Sequence, residues 1–403
     1  MSRTAAEYAR PPQLPSTHFV DNRVYYDEGI FAEEKEKILS KTWRFVMHES
    51  EVPEVYDYRT ATIADAPLVV SRGKDNKIRT FINSCSHRGA SVLRRPAGNL
   101  RAWQCMYHLW TYDPTTGECI SRPRPEAFDA VGLRQEACGL REVKTEVMYG
   151  LVFVNLDDNC MPLAEYIGDS MFLQKEMIDT VEMEVIDFFE LPLHCNWKNW
   201  METNMDLYHE FMHVANRKTS LMIPEYYKRN WHTFSNGHFT VDRYSVEYDK
   251  YPGWEDRNDN LALPGMKEDE FQITDLFPDI TFLTRGTVVR IDNQIPLSPT
   301  ETLVQYRALG IKGEPEEDRM RRIRDYHSIW GLFGRNLPED CLGVTLQRNA
   351  VYGGQVPYTY WCREENNLSQ DDVAARTWWK EWSRLMGKDQ SWPFGTAPSE
   401  AAE

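Results

Sequence analysis

Four residues constrain this chain more than any others: Cys85 and His87, and then, with seventeen residues between, Cys105 and His108. The order Cys-x-His…Cys-x-x-His brings two thiolates and two imidazoles to one place. That set suits a two-iron, two-sulfide cluster in which cysteines hold one iron and histidines the other. Neutral imidazoles on one iron let such a cluster accept an electron at higher potential than an all-cysteine cluster does. Tetrahedral zinc is the other reading of Cys₂His₂, but zinc modules usually separate the two ligands of a pair by at least two residues. The single residue between Cys85 and His87 favours the iron–sulfur cluster.

The surrounding pattern is β. Short apolar runs at Pro67–Ser71 and Ile78–Ile82 flank the turn Gly73-Lys74-Asp75-Asn76, and Asp113-Pro114-Thr115-Thr116-Gly117 marks another turn. Met148–Val154 reads as one closing strand, and residues 20–41 read as a polar-faced helix. Beyond Met161 helix and strand signals mix. Thr281–Ile291 and Thr302–Tyr306 read as strands, Glu316–Phe333 and Asp371–Met386 as helices. The latter helix has a Ser369…Asp372 cap pattern and Gly387 at its end.

At 403 residues the chain has room for two domains and a large core. Its 62 acidic against 46 basic residues, net charge −16, make nucleic acid and anionic membrane poor partners. No apolar run approaches the ~18 residues of a spanning helix, and Met1–Pro15 lacks the apolar core of a signal peptide. Eight irregularly spaced cysteines do not form a disulfide framework; six of them (Cys119, Cys138, Cys160, Cys195, Cys341, Cys362) are expected as small buried hydrophobes. A cytoplasmic setting fits.

A second constellation lies at Trp197–His213. His209 and His213 are four apart, so on a continuous helix both imidazoles, with Asp206 and Glu202, share one face. Trp200, Met201, Leu207, Phe211 and Met212 would bury that polar seam, and buried ionisable groups are costly unless paired or metal-bound. Histidines that satisfy core hydrogen bonds, or face solvent, are the plainer alternative.

The Cys85–Ala90 stretch led in by Phe81-Ile82-Asn83, and Trp110-Thr111-Tyr112-Asp113 with Gly117 after the second pair, resemble the Rieske domain of the Rieske non-haem iron oxygenases, whose large (α) subunits hydroxylate aromatic rings. Met106 stands where proline is common there, and Leu109 where glycine or alanine usually follows the last histidine. The resemblance runs through nearly the whole chain and implies an α+β protein. Residues 1–41 would pack on the catalytic domain, 42–157 would be an all-β Rieske domain, and 158–403 a helix-grip catalytic domain.

The same resemblance implies the site. Cys85, His87, Cys105 and His108 would hold the [2Fe–2S] cluster. His209 and His213, with a distant carboxylate, would hold a mononuclear Fe(II). That carboxylate is expected at Asp340, with Glu339 the competitor, because Leu337-Pro338-Glu339-Asp340 precedes Gln347 as in the family's later helix. Asp206 would bridge His108 to His209 by hydrogen bonds. Two histidines and a carboxylate leave iron positions open for dioxygen.

The implied function is the terminal oxygenase of a multicomponent system. It would use O₂ and NAD(P)H-derived electrons, delivered by a separate reductase with or without a ferredoxin, to add one or both oxygen atoms to a small aromatic substrate. A homotrimeric α core, with or without small β subunits, would bring each cluster to a neighbour's iron. Arg217, Arg285 and Arg290 are candidates to clamp a carboxylate or sulfonate, which leans the substrate towards an aromatic acid. A non-catalytic Rieske electron carrier and a zinc-stabilised binding module are the competing readings.

Overall fold

The computed structural model describes residues 4–246 and 261–392, which form two compact units: Leu39–Leu163, and Met1–Ile38 together with Ala164–Glu403. Each is built on its own antiparallel sheet.

In the first unit a seven-stranded sheet runs in the order Arg44–His48, Leu151–Asn155, Glu142–Met148, Ile78–Ile82, Ala66–Arg72, Asp57–Ile63, Ala97–Asn99. Alternate side chains of Ala66–Arg72 serve different cores, as the two-residue period of a strand requires. Leu68 and Val70 pack with Val46, Val152 and Val154, whereas Val69 packs with Phe81, Trp103 and Tyr112. Met148–Val154 is not one strand but a hairpin closing on Tyr149 and Gly150, both at positive φ (57° and 76°). Two such residues match the twist of a tight antiparallel turn. Gly150 is needed there twice over, because a Cβ on it would also collide with the His48 ring.

The second unit carries a seven-stranded antiparallel sheet, ordered Met183–Leu193, Glu301–Ile311, Val288–Ser298, Ile280–Arg285, Glu270–Leu276, Phe239–Ser245, Trp231–Thr233. Thr281–Ile291, read above as one strand, is two strands turning at Gly286 and Thr287. The helix Trp197–Met205 lies against the two strands so formed and against the helices Leu337–Val351 and Val373–Met386. It begins at Asn196, whose side chain accepts from the Lys198 N–H at 3.0 Å.

That helix is buried along almost its whole length, so every polar side chain on it needs a partner. Lys198 Nζ sits 2.7 Å from Glu34 Oε1, both side chains wholly buried. Glu34 also accepts from the indoles of Trp197 (3.1 Å) and Trp382 (2.7 Å). Trp200 donates to Asp292 at 2.9 Å and Asn204 to Thr281 at 2.8 Å. The chain's N-terminal part thus enters the second unit's core: its helix Glu28–Glu34 and a following π-turn to Leu39 replace the single helix expected over 20–41.

Other expectations shift at the ends. The helix Glu316–Trp330 stops at Gly331, leaving Phe333 fully exposed. The helix Val373–Met386 ends on Gly387 at φ 66°, as expected, but lacks the Ser369…Asp372 cap: Ser369 donates to the Tyr226 carbonyl, and Asp372 accepts from Arg363. Of the six non-ligand cysteines, Cys119, Cys138 and Cys195 are buried, Cys160 and Cys341 half-buried, and Cys362 exposed. Among the described residues no helix is long and apolar enough to cross a membrane.

The Glu34–Lys198 pair gives a direct test. Lys198→Met leaves a buried carboxylate with indole donors only, and should destabilise the second unit by about 3 kcal/mol or more. Adding Glu34→Gln to that variant should recover part of the loss, read as the midpoint of chemical unfolding. A single variant as stable as the parent would refute the assignment of a buried ion pair.

Candidate active site

The four Cys/His residues of the first unit sit on two loops of matching geometry. In one, the Cys85 N–H donates to the Ala90 carbonyl and the Gly89 N–H to the Cys85 carbonyl; in the other, the Cys105 N–H donates to Trp110 and the Leu109 N–H to Cys105. Gly89 and Leu109 occupy equivalent left-handed positions, at φ 75° and 60°. Leu109, half exposed, accepts a conformation that normally costs a side-chain-bearing residue about 1–2 kcal/mol. The second loop joins strands Trp103–Gln104 and Thr111–Tyr112 of a small three-stranded sheet.

Those loops point Cys85 and Cys105 into the core and turn His87 Nδ1 towards His108 Nδ1, 3.2 Å apart. His87 stacks flat on Trp110, with centroids 4.9 Å apart and planes 7° apart. Tyr112 Oη lies 3.0 Å from Cys85 Sγ and accepts the Ser86 N–H at 3.2 Å. Two soft thiols and two imidazole nitrogens facing one point fit the donor set of a mixed-ligand [2Fe–2S] cluster. Tyr112 and Trp110 hold those donors in place, and the sequence pattern includes both without stating their roles.

In the second unit the helix expected to run through His213 ends at Met205. Asp206 is extended (φ −123°, ψ 92°), and His209–Met212 form only a 3-10 turn. Asp206 causes the break by local competition with the helix: its carboxylate takes the Tyr208 N–H at 2.8 Å, and its main-chain carbonyl takes His209 Nδ1. The expected common stripe therefore separates. Glu202 turns to Tyr25 and Trp379, and the Asp206 carboxylate pairs with Arg363 Nη2 at 2.6 Å, not with His209. What reaches His209 from Asp206 is backbone.

His209 and His213 nevertheless converge on a third residue 127 positions beyond His213. Asp340 Oδ1 is 3.4 Å from His209 Nε2 and 3.2 Å from His213 Nε2, and the three donor atoms lie within 4.8 Å of one another. Donors about 2.1 Å from one ion and roughly at right angles stand about 3 Å apart, so the spacing fits a metal. Asp340 Oδ1 is buried and engages in no hydrogen bond, an orphan that a cation would satisfy. Glu339 stands behind this set: its Oε2 accepts from His213 Nδ1 at 2.8 Å and fixes which ring nitrogen faces inward. Asp340 and Glu339, adjacent in the first turn of Leu337–Val351, thus face the imidazole from different sides.

The protonation pattern records what an ion would replace. Burial disfavours charge on Asp340, but the two imidazoles outweigh it and hold the carboxyl well below the ordinary range. Burial likewise works to depress His209, yet the Asp340 carboxylate 3.4 Å away, with Asp206 and Glu210 nearby, lifts it to about 10.

Two cavities meet at this triad. One is lined by His209, His213 and Asp340 and also by Phe271, Arg285, Arg290 and Trp330; the other by His209 and Asp340 with Glu202, Asp206, Gln347 and Trp361. In the first, Arg285 lies between the rings of Phe271 and Trp330 (5.2 Å to each centroid), and Arg290 is over Trp330 (5.5 Å) and Tyr306 (5.6 Å). Arg290 also donates to Asp292 at 2.7 Å. Arg217, the third candidate for an anion, is exposed and does not line the cavity.

Because His209 carries a proton at neutral pH, a divalent ion must expel it on binding. Titrating Fe(II) or Co(II) into metal-depleted protein near pH 7, in buffers of different ionisation enthalpy, should reveal proton release, with affinity rising as pH rises. A binding heat independent of the buffer would contradict the triad as a metal site.

Comparison with known proteins agrees with both halves. Residues 42–142 match the Rieske [2Fe-2S] domain family, and 180–376 the ring hydroxylating alpha subunit catalytic domain. The chain is 53% identical over 388 residues to the 2-aminobenzenesulfonate 2,3-dioxygenase α subunit of an Alcaligenes species, covering 96% of this chain and 98% of that one. It is 37% identical over 415 residues to the methanesulfonate monooxygenase hydroxylase α subunit of Methylosulfonomonas methylovora, with both chains fully covered. Naphthalene 1,2-dioxygenase from a Rhodococcus species shares the fold at 21% identity, with a TM-score of 0.77 over 91% of this chain and 94% of that one. The mixed-ligand cluster loops and the His-His-Asp convergence therefore belong to a Rieske non-haem iron oxygenase: the chain is a member of the ring-hydroxylating α-subunit family, with a Rieske [2Fe–2S] domain and a mononuclear-iron catalytic domain.

Proposed function

We propose that this enzyme hydroxylates a small organosulfonate, with an arenesulfonate favoured. The observation that carries the reading is the buried wall of Phe271, Arg285, Trp330 and Arg290 in the cavity that also holds the His-His-Asp triad, with Arg290 also set over the Tyr306 ring. All five side chains are buried, and in so dry a setting a guanidinium attracts an oxyanion more strongly than it would in water. Asp292 answers Arg290, and Trp200 holds Asp292. The wall thus carries two guanidiniums beside apolar residues such as Leu207, Ile273 and Leu283 that suit a ring. Guanidinium forks pair with planar or tripodal oxyanions, so a sulfonate at the arginines with its carbon skeleton towards the triad is the pose that fits. The names of the two relatives above support this, and narrow the aromatic acid expected from sequence to a sulfonate.

In this reading Cys85, His87, Cys105 and His108 hold the Rieske cluster, and His209, His213 and Asp340 hold the iron. Together these groups supply electrons and an open coordination site for dioxygen. The protein's residues orient the ring, exclude water and fix the imidazole tautomers. The working domain limits are 1–41, 42–157 and 158–403. The assembly is a homotrimeric α core, with or without β subunits, in a cytoplasmic setting and served by a reductase with or without a ferredoxin. Asp206 is its bridge from His108 of one copy to His209 of the next. In support, both hydrogen bonds to the Asp206 carboxylate fall on Oδ1, and among the described residues none falls on Oδ2, so one oxygen remains for an incoming imidazole N–H.

The test is oxygen uptake with an added reductase over arenesulfonates, alkanesulfonates, arenecarboxylates and neutral arenes. Sulfonates should be turned over preferentially. Arg285→Met should raise KM for the preferred sulfonate about tenfold or more, with cluster spectrum and iron content intact. Equal turnover of neutral arenes, together with an unchanged KM in Arg285→Met, would reject the sulfonate reading. Partial rescue of activity in co-expressed Cys85→Ser and His209→Ala subunits tests the trimer, and failure of rescue in verified mixed oligomers would remove the bridging role of Asp206.

A further inference from the structure

The second cavity at the triad poses a separate question, because the arginine wall and the apolar residues for a ring all lie in the first. Its lining includes the exposed Met212 and the part-exposed Asp206, and the buried Glu202 shares that lining with His209 and Asp340. Glu202 is 5% exposed, and its two oxygens are treated differently. Oε1 accepts both the Tyr25 hydroxyl at 2.6 Å and the Trp379 indole N–H at 3.2 Å, whereas among the described residues Oε2 has only a 3.5 Å approach from Asn199 Nδ2. A carboxyl with one oxygen taken by two donors, and the other almost without one, is arranged to carry a proton on the second oxygen.

From this geometry we infer that Glu202 is a proton-holding residue that feeds the triad through the second cavity, apart from the substrate. Burial lifts its carboxyl to about 7, against the pull of Tyr25, Lys198, Trp379 and Asn199, so the group changes state near neutrality. The charged and titratable groups facing it are Tyr25 from the N-terminal segment, Lys198 on its own helix (itself paired with Glu34) and Cys195 before that helix. Across the cavity stand Asp206, His209 and Asp340. Reduction of dioxygen to hydroxyl groups consumes protons along with the electrons that the reductase supplies. The proton leaves Glu202 Oε2 for water admitted to the cavity and ends on oxygen destined for the hydroxylated product. The carboxylate left behind regains a proton from solvent by the same cavity. Only the destination of the proton rests on the oxygenase reading; the protonated state of Glu202 does not.

Glu202→Gln preserves shape and still accepts from Tyr25 and Trp379, but has no acid proton to give. In metal-depleted protein, infrared spectra should show a protonated carboxyl band that shifts in D₂O, fades as pH rises through about 7, and is missing in Glu202→Gln. In the holoenzyme that variant should keep its iron and cluster spectrum. It should form product about tenfold or more slowly and divert consumed oxygen to hydrogen peroxide. Tyr25→Phe removes a donor that favours the ionised form, so the infrared titration and the alkaline limb of kcat should both move to higher pH. The inference falls if no such band titrates, or if it titrates while Glu202→Gln keeps the parent kcat, coupling and pH profile. If the parent itself consumes no oxygen with any sulfonate, the substrate reading fails while the infrared result still stands or falls alone.

Discussion

The catalytic unit depends on one unmatched oxygen. Asp340 Oδ1 faces two imidazoles that come from a loop 127 residues or more away, and no hydrogen bond satisfies it. Three donors from distant parts of the chain must be held at that spacing, so the surrounding chain must supply rigidity that the three residues cannot supply themselves. The helix Leu337–Val351 brings Asp340 on its first turn, and the same turn brings Glu339 against the outer nitrogen of His213. The carbonyl of Asp206 does the corresponding work on His209. Each imidazole is thus gripped on one nitrogen and turned inward on the other, which fixes the orientation of its ring before an ion arrives.

Rigidity on the other side comes from buried polar pairs rather than from apolar packing alone. The helix Trp197–Met205 is fixed by Glu34 at its start, Asp292 in its middle and Thr281 near its end. Such contacts add little net stability compared with apolar replacements, but they are directional, and direction is what the site demands. Asp292 holds two positions at once: one oxygen takes Trp200 and the other Arg290, so the helix leading to His209 and the arginine wall of the cavity share a carboxylate. A change at Asp292 would therefore disturb the helix leading to His209 and the arginine wall together, whereas a change at Arg285, which stacks on Phe271 and Trp330, would leave that shared carboxylate in place.

How much of this was legible in the sequence depended on whether the signal was local. That the two Cys/His loops belong together was legible because Cys85-x-His87 and Cys105-x-x-His108 are short motifs of fixed spacing, and the structure sets His87 against His108 and Cys85 with Cys105 in one core. The end of Val373–Met386 was legible because Gly387 alone tolerates its left-handed backbone cheaply. Asp340 was reached only through the family resemblance, since nothing in spacing links residue 213 to 340. The helical stripe Glu202–Asp206–His209–His213 misled because periodicity assumes that the helix persists, and Asp206 ends it with its own side chain and carbonyl. The strands Met148–Val154 and Thr281–Ile291 misled in the same way, since β-forming residues on both sides of Gly150 and Gly286 masked the turns there. Arg217 looked equivalent to Arg285 and Arg290 because sequence cannot distinguish an exposed loop position from two inward-facing strand positions.

The break at Asp206 also explains why the site can have two cavities. Had the helix continued, His209 and His213 would have presented one face, with Glu202 and Asp206 beside the metal on that same face. Turning the chain at Asp206 puts His209 at a wall between spaces. The arginines, Trp330 and the apolar side chains line one side; Glu202, Asp206 and Gln347 line the other. On the proposed reading, chemistry that couples an anionic substrate to proton and electron traffic gains from that partition. A sulfonate and a proton-holding carboxyl in one cavity would oppose each other's charge states, since the anion would raise the carboxyl's affinity for its proton. Separated by the triad, each can be tuned by its own surroundings: the arginines by Asp292 and stacked rings, Glu202 by Tyr25 and Trp379.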